Sequence, residues 1–183
     1  LVTCGLTLAT APRMYWGVLV GLLMNLSHFL YQRLHPRIIE VGLHPDGSLR
    51  DRHLWKLPLL APHLLALRMD AELDFASASD LERRIAEELS QRPDVRHVAL
   101  FAQPVNRIDA TGVEMFQQLR RLLAERGITL HLSGVKLPVE RVLEKAGALA
   151  ASPLLCLYRT DAEALAAFAG LDTTEETQAG DAR

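Results

Sequence analysis

Asp109-Ala110-Thr111-Gly112 sets a carboxylate, a hydroxyl and a glycine side by side just ahead of an apolar pattern with helical spacing. At a helix N-terminus the first backbone N–H groups lack intrahelical partners, and the helix dipole favours negative charge there. Two chemistries are open to this tetrapeptide. Asp109 can cap the helix through its carboxylate. Alternatively, the junction can hold or carry an anion, with Thr111 as an exposed first-turn hydroxyl. No other stretch offers comparable chemistry. The seven histidines (His28, His35, His44, His53, His63, His97, His131) lack the paired spacing of a metal site. No G-x-S-x-G, P-loop or G-x-G-x-x-G pattern occurs, so the reading is a non-enzyme without metal or cofactor. Cys4 and Cys156 each stand alone in apolar runs and read as small hydrophobes in a reducing compartment.

The elements that must position Asp109 and Thr111 follow from hydrophobic pattern. Val98-Ala99-Leu100-Phe101-Ala102 is an unbroken apolar run of the length of a strand buried on both faces. After a turn over Gln103–Ile108, apolar residues recur at Val113, Phe116, Leu119, Leu122 and Leu123, with Met115 beside them, and Gly127 suits the C′ position. Upstream, Arg37–Gly42 predicts a first strand, His44–Gly47 a turn, and Leu64–Met69 a second strand. Ser48–His63 reads as irregular, with Pro58 and Pro62 limiting helix. A short edge piece at Glu72–Phe75 leads to a helix over about 76–91, with Ser79-Asp80-Leu81-Glu82 as its capping box and Ala78, Leu81, Ile85 and Leu89 as its apolar stripe. Downstream come a strand at Ile128–Ser133 and a short helix from Leu137 with Val139, Val142, Leu143 and Ala146 inward. A last strand at Leu154–Tyr158 and a final helix from Thr160 to about Ala169 follow. The acidic, polar stretch 171–183 reads as disordered.

The N-terminal part has a different character. Only three arginines and no acids occur from Leu1 to Ile39, whereas all 22 Asp and Glu lie at or beyond Glu40. Met14–Gln32 is uncharged; as a helix it would be roughly 28 Å long, against a bilayer core of about 30 Å. Tyr15, Trp16 and Tyr31 sit where interfacial aromatics belong, and Gly17 and Gly21 form a G-x-x-x-G pair suited to close helix packing. Asn25, Ser27 and His28 are its polar exceptions. The reading is a stub over 1–10 and a final transmembrane helix over about 14–34, so that residues 1–36 end a truncated membrane domain. Arg33 and Arg37 flank the C-terminal end of the span, which places everything after it in the cytoplasm. The formal charge of −2 and the lack of a basic stripe argue against nucleic acid.

Asn106-Arg107-Ile108-Asp109-Ala110-Thr111-Gly112 at the central strand–helix junction and Gly134-Val135-Lys136-Leu137-Pro138-Val139 followed by Gly147 resemble a STAS domain, as does the β-β-α-β-α-β-α-β-α order. These small α/β domains are shared by bacterial anti-sigma-factor antagonists and SulP anion transporters. The resemblance implies a mixed sheet with helices packed on it over 37–170. With a span in front, it is similar to the C-terminal part of a SulP-type (sulfate permease-like) secondary active carrier of sulfate, bicarbonate, dicarboxylates or related anions. It implies a multi-pass protein of the inner (plasma) membrane, with the STAS domain in a regulatory, assembly or partner-binding role. The anion itself would be bound by helices upstream of Leu1. Other implied partners are the lipid bilayer, a second copy in a homodimer, and a cytoplasmic regulatory protein or a nucleotide. In the antagonist branch the phosphorylated hydroxyl falls on Thr111, although Ala110 stands where many antagonists have serine. The competing reading is therefore a phosphorylation-controlled antagonist-like binding module.

Overall fold

The computed structural model describes residues 4–5, 14–34 and 37–180. The chain divides into two compact units, Leu1–Pro36 and Arg37–Arg183. In the first, helix α1 (Met14–Leu34, 21 residues) exposes Tyr15, Val18, Leu22, Leu23, Phe29 and Tyr31. Gly17 is buried and Gly21 half-buried, four residues apart along the helix. Among the described residues no helix is long and apolar enough to cross a membrane. Asn25, Ser27 and His28 dilute the apolar character of α1. The stub over 1–10 falls mostly outside the described residues.

The second unit is a six-stranded mixed sheet in the order β2-β1-β3-β4-β5-β6. Its elements run β1 (Ile38–Leu43), β2 (Leu49–Asp51), α2 (Arg52–Trp55), β3 (Leu64–Met69), α3 (Phe75–Gln91), β4 (His97–Phe101), α4 (Ala110–Glu125), β5 (Thr129–Ser133), α5 (Leu137–Lys145), β6 (Leu155–Tyr158) and α6 (Asp161–Gly180). β1 is antiparallel to both neighbours, with Val41 opposite Asp51 and Ile39 opposite Arg68. β3 to β6 are parallel, with Leu65 opposite Val98, Val98 opposite Leu130 and Leu130 opposite Leu155. Alternation along the strands builds two cores. Leu65, Leu67, Val98, Leu100, Leu130 and Leu132 face α3, α4 and α5, which contribute Ile85, Phe116, Leu123 and Leu143. Leu64, Ala66, Ala99 and Phe101 face α6, which contributes Ala164 and Phe168.

Four local expectations change. Ser48–His63 is not wholly irregular: Leu49–Asp51 closes a hairpin on β1, and Asp51 caps a single helical turn through His53 N and Leu54 N at 3.0 and 3.1 Å. The helix over 75–91 starts before the expected capping box. Its reciprocal cap is Asp74 with Ser77, since Ser77 N donates to Asp74 Oδ1 (3.1 Å) and Asp74 N donates to Ser77 Oγ (2.9 Å). In α5 only Val139 and Leu143 are buried, whereas Val142 faces outward. α6 runs on to Gly180, beyond the point near Ala169 where the pattern fades.

Candidate functional site

The β4–α4 junction lies at the carboxyl edge of the parallel strands, where α/β sheets present loops and helix N-termini. Asp109 is the N-cap of α4 in extended backbone (φ −97°, ψ 178°), and its carboxylate accepts from Gly112 N at 2.7 Å. Val113 N donates to Asp109 O at 3.0 Å, which closes the first turn. Thr111 is exposed on that turn, beside exposed Ala110 and above buried Gly112. The three candidate residues therefore sit together, and the carboxylate is engaged as a cap.

What holds the junction in place comes from elsewhere in the chain. Leu73, just before α3, makes an isolated parallel bridge with Ile108. Its N–H donates to Arg107 O at 3.0 Å, and its carbonyl accepts from Asp109 N at 3.3 Å. The same carbonyl explains Gly112: a Cβ there would stand 2.2 Å from Leu73 O. The glycine is needed for close backbone approach rather than for an unusual φ. Beside the loop, Lys136 Nζ donates to Asn106 Oδ1. Gly134 ends β5 with φ +67°, its N–H donating to Tyr158 O, and the preceding Ser133 Oγ donates to Asp161 Oδ1 at 2.6 Å. The β5–α5 loop is thus tied to both of its neighbours.

Two buried polar groups escaped the sequence reading. Glu40, 2% exposed on β1, accepts from Arg52 Nη1 (2.9 Å) and Arg92 Nη1 (2.9 Å) and lies 3.0 Å from His53 Nε2. On the α6 side, His131 Nε2 lies 3.1 Å from His97 Nδ1, and His131 Nδ1 lies 3.0 Å from the Tyr158 hydroxyl. Burial, then the neighbouring His97, lower the His131 pKa to about 4, so the imidazole is neutral near pH 7. Burial also pushes the Tyr158 phenol up to about 12. The only signal available in sequence was a charged or polar residue at an inward position of a strand. Gly17 and Gly21, the helix-packing pair, lie on α1 in the other unit and are not part of this junction.

The STAS domain family model matches residues 60–164, from the segment before β3 into the first turn of α6. The chain is similar to high affinity sulfate transporter 1 of Stylosanthes hamata, 26% identical over 166 residues that cover 83% of this chain and 24% of that protein. It is similar to a probable sulfate transporter of Mycobacterium tuberculosis, 29% identical over 137 residues, covering 74% of this chain and 24% of the relative. The chain therefore spans about a quarter of the length of these relatives. Among solved structures, the murine Slc26a9 anion transporter in its inward-facing state superposes with a TM-score of 0.63 at 12% identity, covering 78% of this chain and 24% of that one. At that identity the likeness speaks for the fold. With the family model matching more than half of its length, the chain belongs to the STAS domain family.

Proposed function

We propose that this chain is the C-terminal portion of a SulP-type secondary active carrier of sulfate or a related small anion. In this reading its α/β body is a cytoplasmic domain that regulates or assembles the carrier rather than an enzyme. The observation that carries the reading is the order of parts: an apolar helix with an outward-facing aliphatic and aromatic surface, then a STAS body, in a chain whose matched relatives are named sulfate transporters. In this reading α1, which by itself is not long and apolar enough to cross a membrane, takes its place as one helix of a membrane bundle, with Gly17 and Gly21 at a helix–helix seam and Asn25, Ser27 and His28 turned to protein neighbours. Anion binding falls to other membrane helices of the carrier, where broken helices point their N-termini at the substrate. The body would bias the transport cycle by its differential contacts in the two states of the carrier.

The test is alkaline carbonate extraction of membranes from cells expressing the chain. The chain stays in the membrane pellet, whereas L22K together with L26K moves most of it to the supernatant. Full recovery of the unaltered chain in the soluble fraction overturns the reading. The exposed Thr111 beside the Asp109 cap favours a second function of the same body, a phosphoacceptor that changes which protein the body binds. A phosphoryl group there would add about −1.5 to −2 charges at a helix N-terminus. Phosphopeptide mapping of the chain from cells decides it: phosphate on Thr111 supports the switch, and an unmodified peptide under all growth conditions removes it.

A further inference from the structure

An open cleft of about 280 Å³ lies between α5 and β6, with Leu132, Val135, Leu149 and Leu157 as its apolar walls. It follows from the winding of the chain. α3, α4 and α5 pack on one face of the sheet, but after β6 the chain crosses to the other face as α6 and leaves this corner open. Leu157 is 48% exposed there. The wall is fixed in advance of any ligand. Arg120 of α4 donates to Ala148 O (2.8 Å) and Ala150 O (2.7 Å), on either side of Leu149, and Gln117 of the same helix donates to Ala146 O (2.8 Å). A wall held in that way needs little ordering when something binds to it. The volume falls just under the range of about 300–1,000 Å³ usual for small-molecule sites, so it suits only the smallest ligands.

Two opposite charges line this apolar cleft, Glu140 on α5 and Arg159 just after β6. Among the described residues neither the carboxylate nor the guanidinium has a hydrogen-bond or ion-pair partner, and they do not pair with each other. The acid close to Arg159 in sequence, Glu163, is engaged by the Arg159 backbone N–H at 2.9 Å rather than by its guanidinium. These charges select a ligand by elimination. An anion such as sulfate, phosphate or a simple carboxylate would gain Arg159 but face Glu140. An amine or a metal cation would gain Glu140 but face Arg159. An uncharged apolar molecule would fill the walls while stripping water from both charges without replacing it. A molecule with one acid, one base and a short aliphatic body meets all three demands. We propose that the cleft is a binding site for a small zwitterion, a free α-amino acid with an aliphatic side chain. Its carboxylate pairs with Arg159, its ammonium with Glu140, and its side chain lies against the four apolar walls. The site belongs to the α/β body and stands independently of the carrier reading.

The experiment titrates L-leucine, isocaproate and isopentylamine into the full chain in detergent micelles, with empty micelles as the blank, and follows the ligand methyl signals by saturation-transfer NMR. Isocaproate is leucine without its ammonium, and isopentylamine is leucine without its carboxylate. Saturable binding of L-leucine is expected, with each truncated ligand weaker by at least about tenfold. Glu140 sits in the first turn of α5, where the helix dipole favours an acid even without a ligand. The variants therefore read specificity as well as affinity. R159Q weakens L-leucine at least about tenfold while isopentylamine binds as well or better, and E140Q weakens L-leucine equally while isocaproate binds as well or better. A purely structural role for either side chain would weaken all three ligands alike. L157W fills the cleft and removes binding, and an unchanged melting curve shows that it still folds. L-leucine that fails to saturate the chain overturns the proposal, as it would if the cleft took only a second copy, another protein or a simple anion. So does leucine binding indifferent to both E140Q and R159Q.

Discussion

At the residue scale, three positions in the body are set by what touches them rather than by their local sequence. Gly112 is one, because the Leu73 carbonyl occupies the place a Cβ would take, at 2.2 Å. Backbone cannot move aside as a flexible side chain can. G112A should therefore destabilise the body by about 2–4 kcal/mol in denaturant unfolding, whereas T111A one position earlier should change it by less than about 0.5 kcal/mol. Glu40 is another. Its carboxylate is buried under two arginines, and while Arg92 keeps Glu88 at 2.9 Å, E40Q leaves Arg52 without its acidic partner, at a cost of about 3 kcal/mol. His131 is the third, and its signature is in pH. The folded state holds the imidazole neutral down to about pH 4, while the unfolded chain takes up the proton near pH 6.5. Between those values the unfolded state binds more protons. Stability is thus fully present above pH 6.5, falls as the pH drops, and levels off below about 4, with up to about 3 kcal/mol lost in all. H131F should flatten that window in denaturation midpoints measured from pH 7 to pH 4, and an unchanged slope would show that His131 is not its source.

At the scale of elements, pattern and tertiary context share the explanation. β4 and α4 were legible because a short apolar run followed by a strict helical stripe admits few alternatives, and Gly127 supplies the stop with φ +68°. The candidate junction was legible for the same reason: an acid before a helical pattern is an N-cap signal, and Asp109 does cap. β2 was not legible, since three residues cannot show alternation and its existence depends on register with β1. The start of α3 at Phe75 lies within one residue of the expected one, but its cap differs: Ser79-Asp80-Leu81-Glu82 matches the capping-box pattern, while the pair that makes the reciprocal bonds, Asp74 and Ser77, lies upstream. Ser77 Oγ also donates to Glu72 O, which fixes the turn that delivers Leu73 to Gly112. The cap of α3 and the position of α4 are therefore linked. D74A should lose about 1 kcal/mol of stability. It should also raise amide exchange at Gly112 and Val113, and hydrogen exchange confined to the first turn of α3 would show that the linkage does not exist.

For the whole molecule, the body's two apolar clusters are carried by the same central strands. In β4, Val98 and Leu100 point into one cluster while Ala99 and Phe101 point into the other, and β3 alternates in the same way. One face cannot unfold while the other keeps its strand register, so the body should melt as a single cooperative unit. Every residue of both clusters lies between Ile38 and Leu171, within the unit Arg37–Arg183. Two expectations distinguish this arrangement from looser ones. F168A removes the ring that meets Phe101 edge-on at 6.4 Å and also packs against His131 and Tyr158. Although Phe168 belongs to the α6 face, its loss should cost about 3–5 kcal/mol and lower the exchange protection of Leu67 and Leu100 on the far face equally. A chain shortened to residues 37–183 should keep the denaturation midpoint that the body has in the longer chain, with circular dichroism and Trp55 fluorescence tracing one transition. A second transition, or protection lost only beneath α6, would mean that the sheet does not couple its faces and that changes sensed at the α6 side stay there. A single transition would make the sheet the element through which a signal at the β4–α4 loop reaches the rest of the body.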